Sequence, residues 1–459
     1  MKEDTPKCKK MENSTAVIQW SMIIGSSLLF LWLSPLAKTK KEFFSASSTK
    51  RKTTVWMLTG SLVISWIFAK SITNAANLGA SFGIVGGVAY AGYYLSFMVA
   101  GFIIYRLRTQ GKFKSIHQFL ESRFGRGAII LFSVLIGIRL FNEVWSNTMV
   151  IGSYFGELGS VSYYTAILVF TGFTLLYTLK GGLSSSIFTD VIQMVLFSIL
   201  LAVILWQIFA IDDFGVKKVV QSGDWSMDMG GNLLLAAILQ SLSYPFHDPV
   251  LTDRGFIMGP RETLRSFLWA TLLGFVCIVL FSVIGVYAGQ MGFTGQAAVA
   301  VSQSFGIVIL LVVNFIMITS AASTLDSTFS SSAKLVAIDL GIRKNISFGR
   351  IVMICVAILG TIPVFFDAEI LSATTISGTM VIGLTPVFLC WKLQPPKLSF
   401  YLAIGCGLFF GVLLLWELFP EMLIFTSGKY ADLLWVNIWG VLSCFIVYFI
   451  PVWIKRLKN

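Results

Sequence analysis

The stretch SWIFAKSITNAANLGASFGIVGG, residues 65–87, interrupts an apolar run with polar and charged side chains. The interrupting groups are Lys70, Ser71, Thr73, Asn74 and Asn77. Lipid offers such groups no hydrogen-bond partner, so a helix that faces the hydrocarbon layer rarely carries them. The pattern therefore predicts a helix that is broken inside a membrane and lines a cavity filled with water.

A second stretch, LLLAAILQSLSYPFHDPVLTDR at residues 233–254, is interrupted in the same way. The groups that break its apolar run are Ser241, Ser243, Tyr244, Pro245, His247 and Asp248. Counted from the apolar segment near residues 54–79, the two broken helices are the first and sixth of ten, as expected for an inverted repeat of five helices. The alternative, polar residues buried where helices pack together, stays open for both stretches.

The apolar composition extends the membrane assignment to the whole chain. Hydrophobic residues make up 56% of the 459 residues and charged residues only 12%, which excludes a soluble fold. Runs of about 20 apolar residues predict about thirteen transmembrane helices in an all-α integral membrane fold. They lie near residues 16–37, 54–79, 84–106, 128–152, 161–178, 187–211, 231–248, 265–289, 297–333, 350–366, 369–391, 399–418 and 433–454.

The basic residues predict the orientation of the chain. Of the 34 Lys and Arg residues, 25 lie in alternate loops, and such loops stay on the cytoplasmic side. We therefore expect a multi-pass protein of the cell (inner) membrane with its N-terminus outside and its C-terminus in the cytoplasm. Its regions are an extracellular tail (1–15), an extra helix with a cytoplasmic loop (16–50), a ten-helix core (51–395), and two C-terminal helices with a short cytoplasmic tail (396–459).

Patterns of catalysis and metal binding are missing from the sequence. The six cysteines show no close pairing, only two histidines occur, and no HExxH, GxSxG or Walker-type loop is present. We expect neither an enzyme nor a resident cofactor. The net charge of +12 is explained by basic loops beside an anionic leaflet, so the bilayer is an expected partner and nucleic acid is not. No obligate protein partner is evident.

Three stretches resemble the sodium:solute symporter family. LLYTLKGGLSSSIFTDVIQMVLF at residues 175–197 is similar to the family signature of Tyr-Thr, a Gly-Gly pair, then Thr-Asp and Gln. GFIIYRLRTQGKFKSIHQFLESRFG resembles the segment before a Leu-x-x-Arg-Phe-Gly turn, and SAASTLDSTFSSSAKLVAIDL at 320–340 resembles the eighth core helix. The resemblance covers roughly residues 50–395 and implies secondary active symport of sodium with a small polar or carboxylate-bearing solute.

Hydroxyl groups line one face of the segment at 320–340. The residues at positions i, i+3, i+4 and i+7 are Ser320, Ser323, Thr324 and Ser327. A hard cation such as sodium prefers oxygen ligands of this kind. The resemblance implies a main sodium site made of the Ser323 and Thr324 side chains with the carbonyls of Ser320, Ile67 and Lys70. Alternatively, these hydroxyls only assist helix packing or bond to their own helix.

Two carboxylates are candidates for a second cation site. The resemblance implies that Asp190 contributes to such a site together with hydroxyls such as Ser327. Asp326 stands where small or hydroxyl residues are usual, so we expect the two carboxylates to approach each other. The alternative is that Asp190 pairs with a loop cation such as Lys180.

The third core helix carries Arg139 and Glu143. A buried guanidinium suits a substrate carboxylate, and the resemblance implies that role for Arg139. An internal pair between Arg139 and Glu143 at i+4 is the alternative. The full set of candidate substrate residues is Ser71, Asn74, Asn77, Tyr93, Arg139, Glu143, Ser243 and Tyr244.

Lys70 departs most sharply from the family pattern, because a neutral residue is usual at its position. A buried ammonium needs a partner, and the candidates are Asp326 and Asp190. Two alternatives follow. Either Lys70 points away and leaves its carbonyl to sodium, or its ammonium replaces sodium in a sodium-independent or proton-coupled carrier. A receptor that resembles a transporter is a more remote alternative.

Overall fold

The computed structural model describes residues 6–45, 54–211, 213–366 and 371–458, and every regular element in these ranges is helical. The α-helices are α1 Pro6–Leu33, α2 Lys40–Ser45, α3 Val55–Ile64, α4 Ala69–Ala91, α5 Leu95–Thr109, α6 Ile116–Phe124, α7 Arg126–Gly152, α8 Val161–Gly181, α9 Leu183–Phe209, α10 Val216–Val220, α11 Asn232–Gln240, α12 Pro249–Arg254, α13 Pro260–Gln290, α14 Ala297–Ser304, α15 Ile307–Lys334, α16 Ile346–Thr361, α17 Ser372–Met380, α18 Leu384–Leu389, α19 Lys397–Leu415 and α20 Ala431–Lys458.

The helices account for the predicted membrane crossings. Nine helical segments of the described ranges are long and apolar enough to span a membrane. The other crossings are built from shorter pieces: α1, α3 with the start of α4, α11 with α12, and α17 with α18. The prediction of one span over residues 297–333 is wrong, because Gly306, at a φ of +88°, separates α14 from α15.

The chain turns back on itself within α4. Gly83 has a φ of 62°, a left-handed conformation that glycine adopts without steric cost. The Tyr94 hydroxyl donates to the Trp66 carbonyl at 2.6 Å, and the Tyr90 hydroxyl donates to Ser71 Oγ at 3.3 Å. Residues that precede Gly83 therefore lie beside residues that follow it, as in a helical hairpin.

Glycines bring α4 and α13 into backbone contact. A Cβ atom added to Gly285 would lie 1.7 Å from the Ala76 carbonyl oxygen, and one added to Gly79 would lie 2.2 Å from that of Ser282. Small residues allow this close approach, which holds membrane helices together by packing. The broken helix that begins at Ala69 is therefore held tightly against a continuous one.

We expect Gly285→Ala to lower the free energy of unfolding by about 1–3 kcal/mol, because the new methyl group forces the two backbones apart. Gly172→Ala is the matched control: nothing lies within 4 Å of its Cβ position, so stability should change by less than about 0.5 kcal/mol. Thermal unfolding of both variants in the same detergent measures the difference. Equal stability of the two would contradict the close packing.

Candidate functional site

Both helices that the sequence predicts to be broken are broken, the second at its predicted polar groups and the first just before Lys70. α3 ends at Ile64 and α4 begins at Ala69, while α11 ends at Gln240 and α12 begins at Pro249. The gaps between them, residues 65–68 and 241–248, free backbone groups inside the helical core. Such groups need partners from side chains, ions or water.

Side chains satisfy part of each gap. In the first gap the Ile67 carbonyl accepts a hydrogen bond from Ser320 Oγ on α15. In the second, Asp248 caps α12 by accepting a hydrogen bond from the Val250 amide at 2.9 Å. The aspartate also accepts one from Trp66 Nε1 at 2.7 Å, which connects the two gaps directly.

Four charged side chains form a compact charge cluster between the gaps: Lys70, Arg139, Glu143 and Asp248. Glu143 Oε2 lies 2.9 Å from Lys70 Nζ, and its Oε1 lies 2.7 Å from Arg139 Nη1. Arg139 Nη2 lies 2.9 Å from Asp248 Oδ2. Each side chain is at most 4% exposed. The cluster joins α4, α7 and the start of α12 with a formal net charge of zero.

The expected partners of Lys70, Asp326 and Asp190, are wrong. Lys70 binds Glu143 instead. One oxygen of that carboxylate binds Lys70 and the other binds Arg139. The i,i+4 pair of Arg139 and Glu143, the alternative left open by the sequence, is present. A pattern along one helix could not show that Glu143 also contacts a neighbouring helix.

Neutral and aromatic groups complete the surroundings of the charge cluster. Asn147 Nδ2 donates to Glu143 Oε2 at 3.0 Å, and the Tyr244 hydroxyl accepts from Arg139 Nη1 at 2.5 Å. The Phe68 ring lies 5.1 Å from Lys70 Nζ and 5.7 Å from the Arg139 guanidinium carbon, within the range of cation–π attraction. The ring thus contacts both cations.

A second ion pair joins α12 to α9. Arg254 Nη2 lies 2.7 Å from Asp190 Oδ2, and the two side chains are 1% and 0% exposed. Arg254 Nε donates to Ser61 Oγ at 2.8 Å, and Ser323 Oγ donates to Asp190 Oδ1 at 2.7 Å. A guanidinium therefore lies where the sequence suggested a second cation.

Arg254 is the important residue that sequence reasoning missed. It is one of the 25 Lys and Arg residues that the sequence assigns to cytoplasmic loops, and it follows the predicted span 231–248. The alternative in which Asp190 pairs with a loop cation is present, but the cation is Arg254 and not Lys180, whose Nζ donates to the Leu31 carbonyl at 2.7 Å. Asp326 accepts a hydrogen bond from the Tyr177 hydroxyl at 3.1 Å.

Of the predicted main sodium ligands, Ser320 on α15 and Ile67 in the first gap are in contact, whereas Ser323 Oγ donates to Asp190. Besides the bond between Ser320 and the Ile67 carbonyl, Thr324 Oγ1 donates to the Ser320 carbonyl at 3.1 Å. Ser327 Oγ lies 2.7 Å from Ser186 Oγ, so this hydroxyl is directed to α9. Hydroxyl and carbonyl oxygens from two helices thus lie within hydrogen-bond distance beside the first gap.

The remaining predicted substrate residues lie in two groups. Asn74 Nδ2 donates to the Tyr90 hydroxyl at 3.3 Å, which itself donates to Ser71. The Tyr93 hydroxyl donates to Gln240 Oε1 at 2.9 Å, and Ser243 Oγ donates to the Gln240 carbonyl at 3.3 Å. Asn77 lies farther along α4, where its Oδ1 accepts from the Ala297 amide at 3.0 Å.

A vestibule of about 950 Å³ opens above the first gap. Its lining includes Thr73, Asn74, Asn77, Tyr154, Gln296 and Tyr430. Thr73 and Asn74 lie one helical turn beyond Lys70, so the vestibule ends close to the charge cluster. A much smaller cavity, about 10 Å³, lies beside the cluster and is lined by Arg139, Glu143, Asp248 and Thr324 among others. The open vestibule, the charge cluster and the hydroxyl and carbonyl oxygens beside the first gap therefore lie in one region of the molecule.

Comparison with known proteins gives one family. The sequence profile of the sodium:solute symporter family matches residues 43–259. The urea active transporter of Saccharomyces cerevisiae is 22% identical over 204 residues, which cover 43% of this chain and 27% of that protein. The sodium/myo-inositol cotransporter 2 of Bos taurus is 26% identical over 226 residues, covering 46% and 33%. The matched stretch thus spans a third or less of these relatives.

Solved structures match over nearly the whole chain. A Na⁺-coupled sialic acid symporter in its substrate-bound outward-open state has a TM-score of 0.70 at 14% identity and covers 94% of this chain and 97% of its own. Mhp1, a nucleobase-cation-symport-1 family transporter in a closed conformation, has a TM-score of 0.58 at 13% identity and covers 92% and 95%. At such low identity these matches establish the fold.

We expect Arg254→Met to lower the free energy of unfolding by about 3–5 kcal/mol, because it leaves the Asp190 carboxylate buried without its cation. Lys334→Met is the matched control. Its ion pair with Asp253 is 20% and 16% exposed, so its loss should cost about 1 kcal/mol or less. Thermal unfolding in detergent compares the two variants. An Arg254→Met variant as stable as Lys334→Met would rule out a structural ion pair at Asp190.

Proposed function

Since the sequence profile of the sodium:solute symporter family matches residues 43–259, we propose that this chain is a secondary active transporter of that family, not an enzyme, and that it couples sodium entry to uptake of a small polar solute. The observation that carries the sodium coupling is the contact of the Ser320 hydroxyl with the Ile67 carbonyl, 253 residues apart in sequence. It brings the hydroxyl face of α15 to the first helix gap. Together, these groups offer the oxygen ligands that a hard cation prefers.

The ion set consists of one sodium. Its proposed ligands are the side chains of Ser323 and Thr324 and the carbonyls of Ser320, Ile67 and Lys70. The second predicted site, at Asp190, Asp326 and Ser327, is disfavoured because the Arg254 guanidinium already neutralises Asp190. The carrier in which Lys70 replaces sodium is disfavoured too, since its ammonium lies on Glu143.

The arrangement of cavities supports alternating access. The vestibule extends from one side as far as Thr73 and Asn74, about one helical turn from Lys70. On the other side Arg254 pairs with Asp190, Lys334 pairs with Asp253, and Arg108 Nη1 donates to the Gly255 carbonyl at 2.8 Å. By the basic-loop rule the open side is extracellular. Transport therefore requires these inner contacts to break while the vestibule closes.

The proposed transport core is residues 51–395, in the cell membrane with the N-terminus outside. Orientation can be tested with single cysteines at exposed loop positions, in a background whose six native cysteines are alanine. Asp224→Cys should react with an impermeant maleimide added outside intact cells, whereas Lys344→Cys should react only after the cells are opened. The opposite labelling pattern would reverse the orientation.

Loss of two sodium ligands should weaken sodium dependence. We expect the double variant Ser323→Ala, Thr324→Ala to raise the sodium concentration for half-maximal uptake on the order of 10- to 100-fold, at about 1 kcal/mol per ligand. The matched control is Ser330→Ala. Its hydroxyl lies on the same helix and donates to the Asp326 carbonyl at 2.7 Å.

Uptake into proteoliposomes is measured against sodium at a constant total of sodium plus potassium. The control should keep the wild-type sodium dependence. If the double variant keeps it as well, the proposed sodium site is wrong.

A further inference from the structure

We propose that the transported solute is uncharged and is recognised through its hydroxyl or amide groups. This inference rests on the proposed function and deepens it by naming the substrate class. Both cations of the charge cluster already pair with internal carboxylates. Neither is therefore available to a carboxylate that enters from the vestibule.

Arg139 is the residue that would bind a carboxylate, and its fork is occupied. Nη1 contacts Glu143 at 2.7 Å and the Tyr244 hydroxyl at 2.5 Å, and Nη2 contacts Asp248 at 2.9 Å. Nε is buried and has no hydrogen-bond partner among the described residues. The two small cavities that Arg139 lines measure about 10 Å³ each, too little for a carboxylate. To bind a substrate carboxylate, Arg139 would first have to release Glu143 or Asp248.

Lys70 is compensated in the same way. Its ammonium lies 2.9 Å from Glu143, so an entering carboxylate would have to approach Glu143 as well. Like charges that share a desolvated site repel each other strongly. A hydroxyl or amide group carries no such penalty and can add a hydrogen bond to an ammonium that has three donors.

The charges that line the vestibule above the charge cluster also cancel. Among its lining residues, Glu157 and Lys429 supply one negative and one positive charge. The polar groups nearest the cluster are neutral, namely Thr73, Asn74 and Asn77. Such hydroxyls and amides both donate and accept, which matches a solute whose polar groups do the same.

The charge state of Glu143 therefore determines which solutes are accepted. Glu143→Gln keeps the shape of the side chain and removes one negative charge, leaving Lys70 and Arg139 with only Asp248. We expect this variant to raise uptake of the acidic solute of a matched pair by about tenfold or more, relative to uptake of the neutral solute of that pair. The double variant Lys70→Met, Glu143→Gln restores a net charge of zero and should lose that gain.

Proteoliposomes with the full chain test this with three matched pairs: glucose and glucuronate, inositol and a carboxylated inositol analogue, lactamide and lactate. Glu121→Gln, at an exposed carboxylate on α6, is the control and should behave like wild type. Wild type should take up a neutral member in preference to its acid. Each solute molecule should then carry in one positive charge, so that the ratio of current to flux is one.

Each outcome decides something. Sodium-dependent uptake of an acid in preference to its neutral partner, with a current-to-flux ratio of zero, overturns the inference while sodium coupling stands. Preference for the neutral member at equal rates in sodium and potassium supports the inference but overturns the proposed coupling. No uptake of any pair in either salt overturns both. The current-to-flux ratio of wild type remains decisive if the Glu143→Gln variant does not fold.

Discussion

Buried charge in an apolar layer must be compensated, and this constraint organises the centre of the molecule. Lys70 and Arg139 bind Glu143 and Asp248 where almost no solvent reaches. Removing any one of the four would leave a charge without a counterion, at a cost of several kcal/mol. The charge cluster therefore holds α4, α7 and the start of α12 in one arrangement, and the two helix gaps lie beside it.

The helix gaps and the packing around them depend on each other. An interrupted helix in a membrane exposes carbonyls and amides that lipid cannot satisfy. Here the first gap is held between the glycine contact of α4 with α13 and the hydroxyl face of α15. These contacts direct the freed oxygens of the first gap into the core, where our proposal places the ion.

Two cationic side chains, Arg254 and Lys70, pair with internal carboxylates and so limit which ions and solutes can bind beside them. Because Arg254 pairs with Asp190, one candidate sodium site remains. Because Lys70 pairs with Glu143, that carboxylate is already occupied by a cation. The relatives whose names specify urea or myo-inositol and the structural neighbour whose name specifies sialic acid differ in the charge of their solutes. In our proposal, the internal ion pairs of this chain favour the uncharged class of solute.

The sequence by itself determined the membrane class, the helical fold, the two broken helices and the resemblance to one family. These follow from local quantities: apolar runs of membrane length, polar interruptions, and short motifs such as the Gly-Gly pair before Asp190. It did not determine the partners of Lys70, Asp190 or Arg139. An ion pair between helices depends on their rotation and spacing, and a guanidinium such as Arg254 reaches across several ångströms. Only the tertiary structure decided which charge neutralises which.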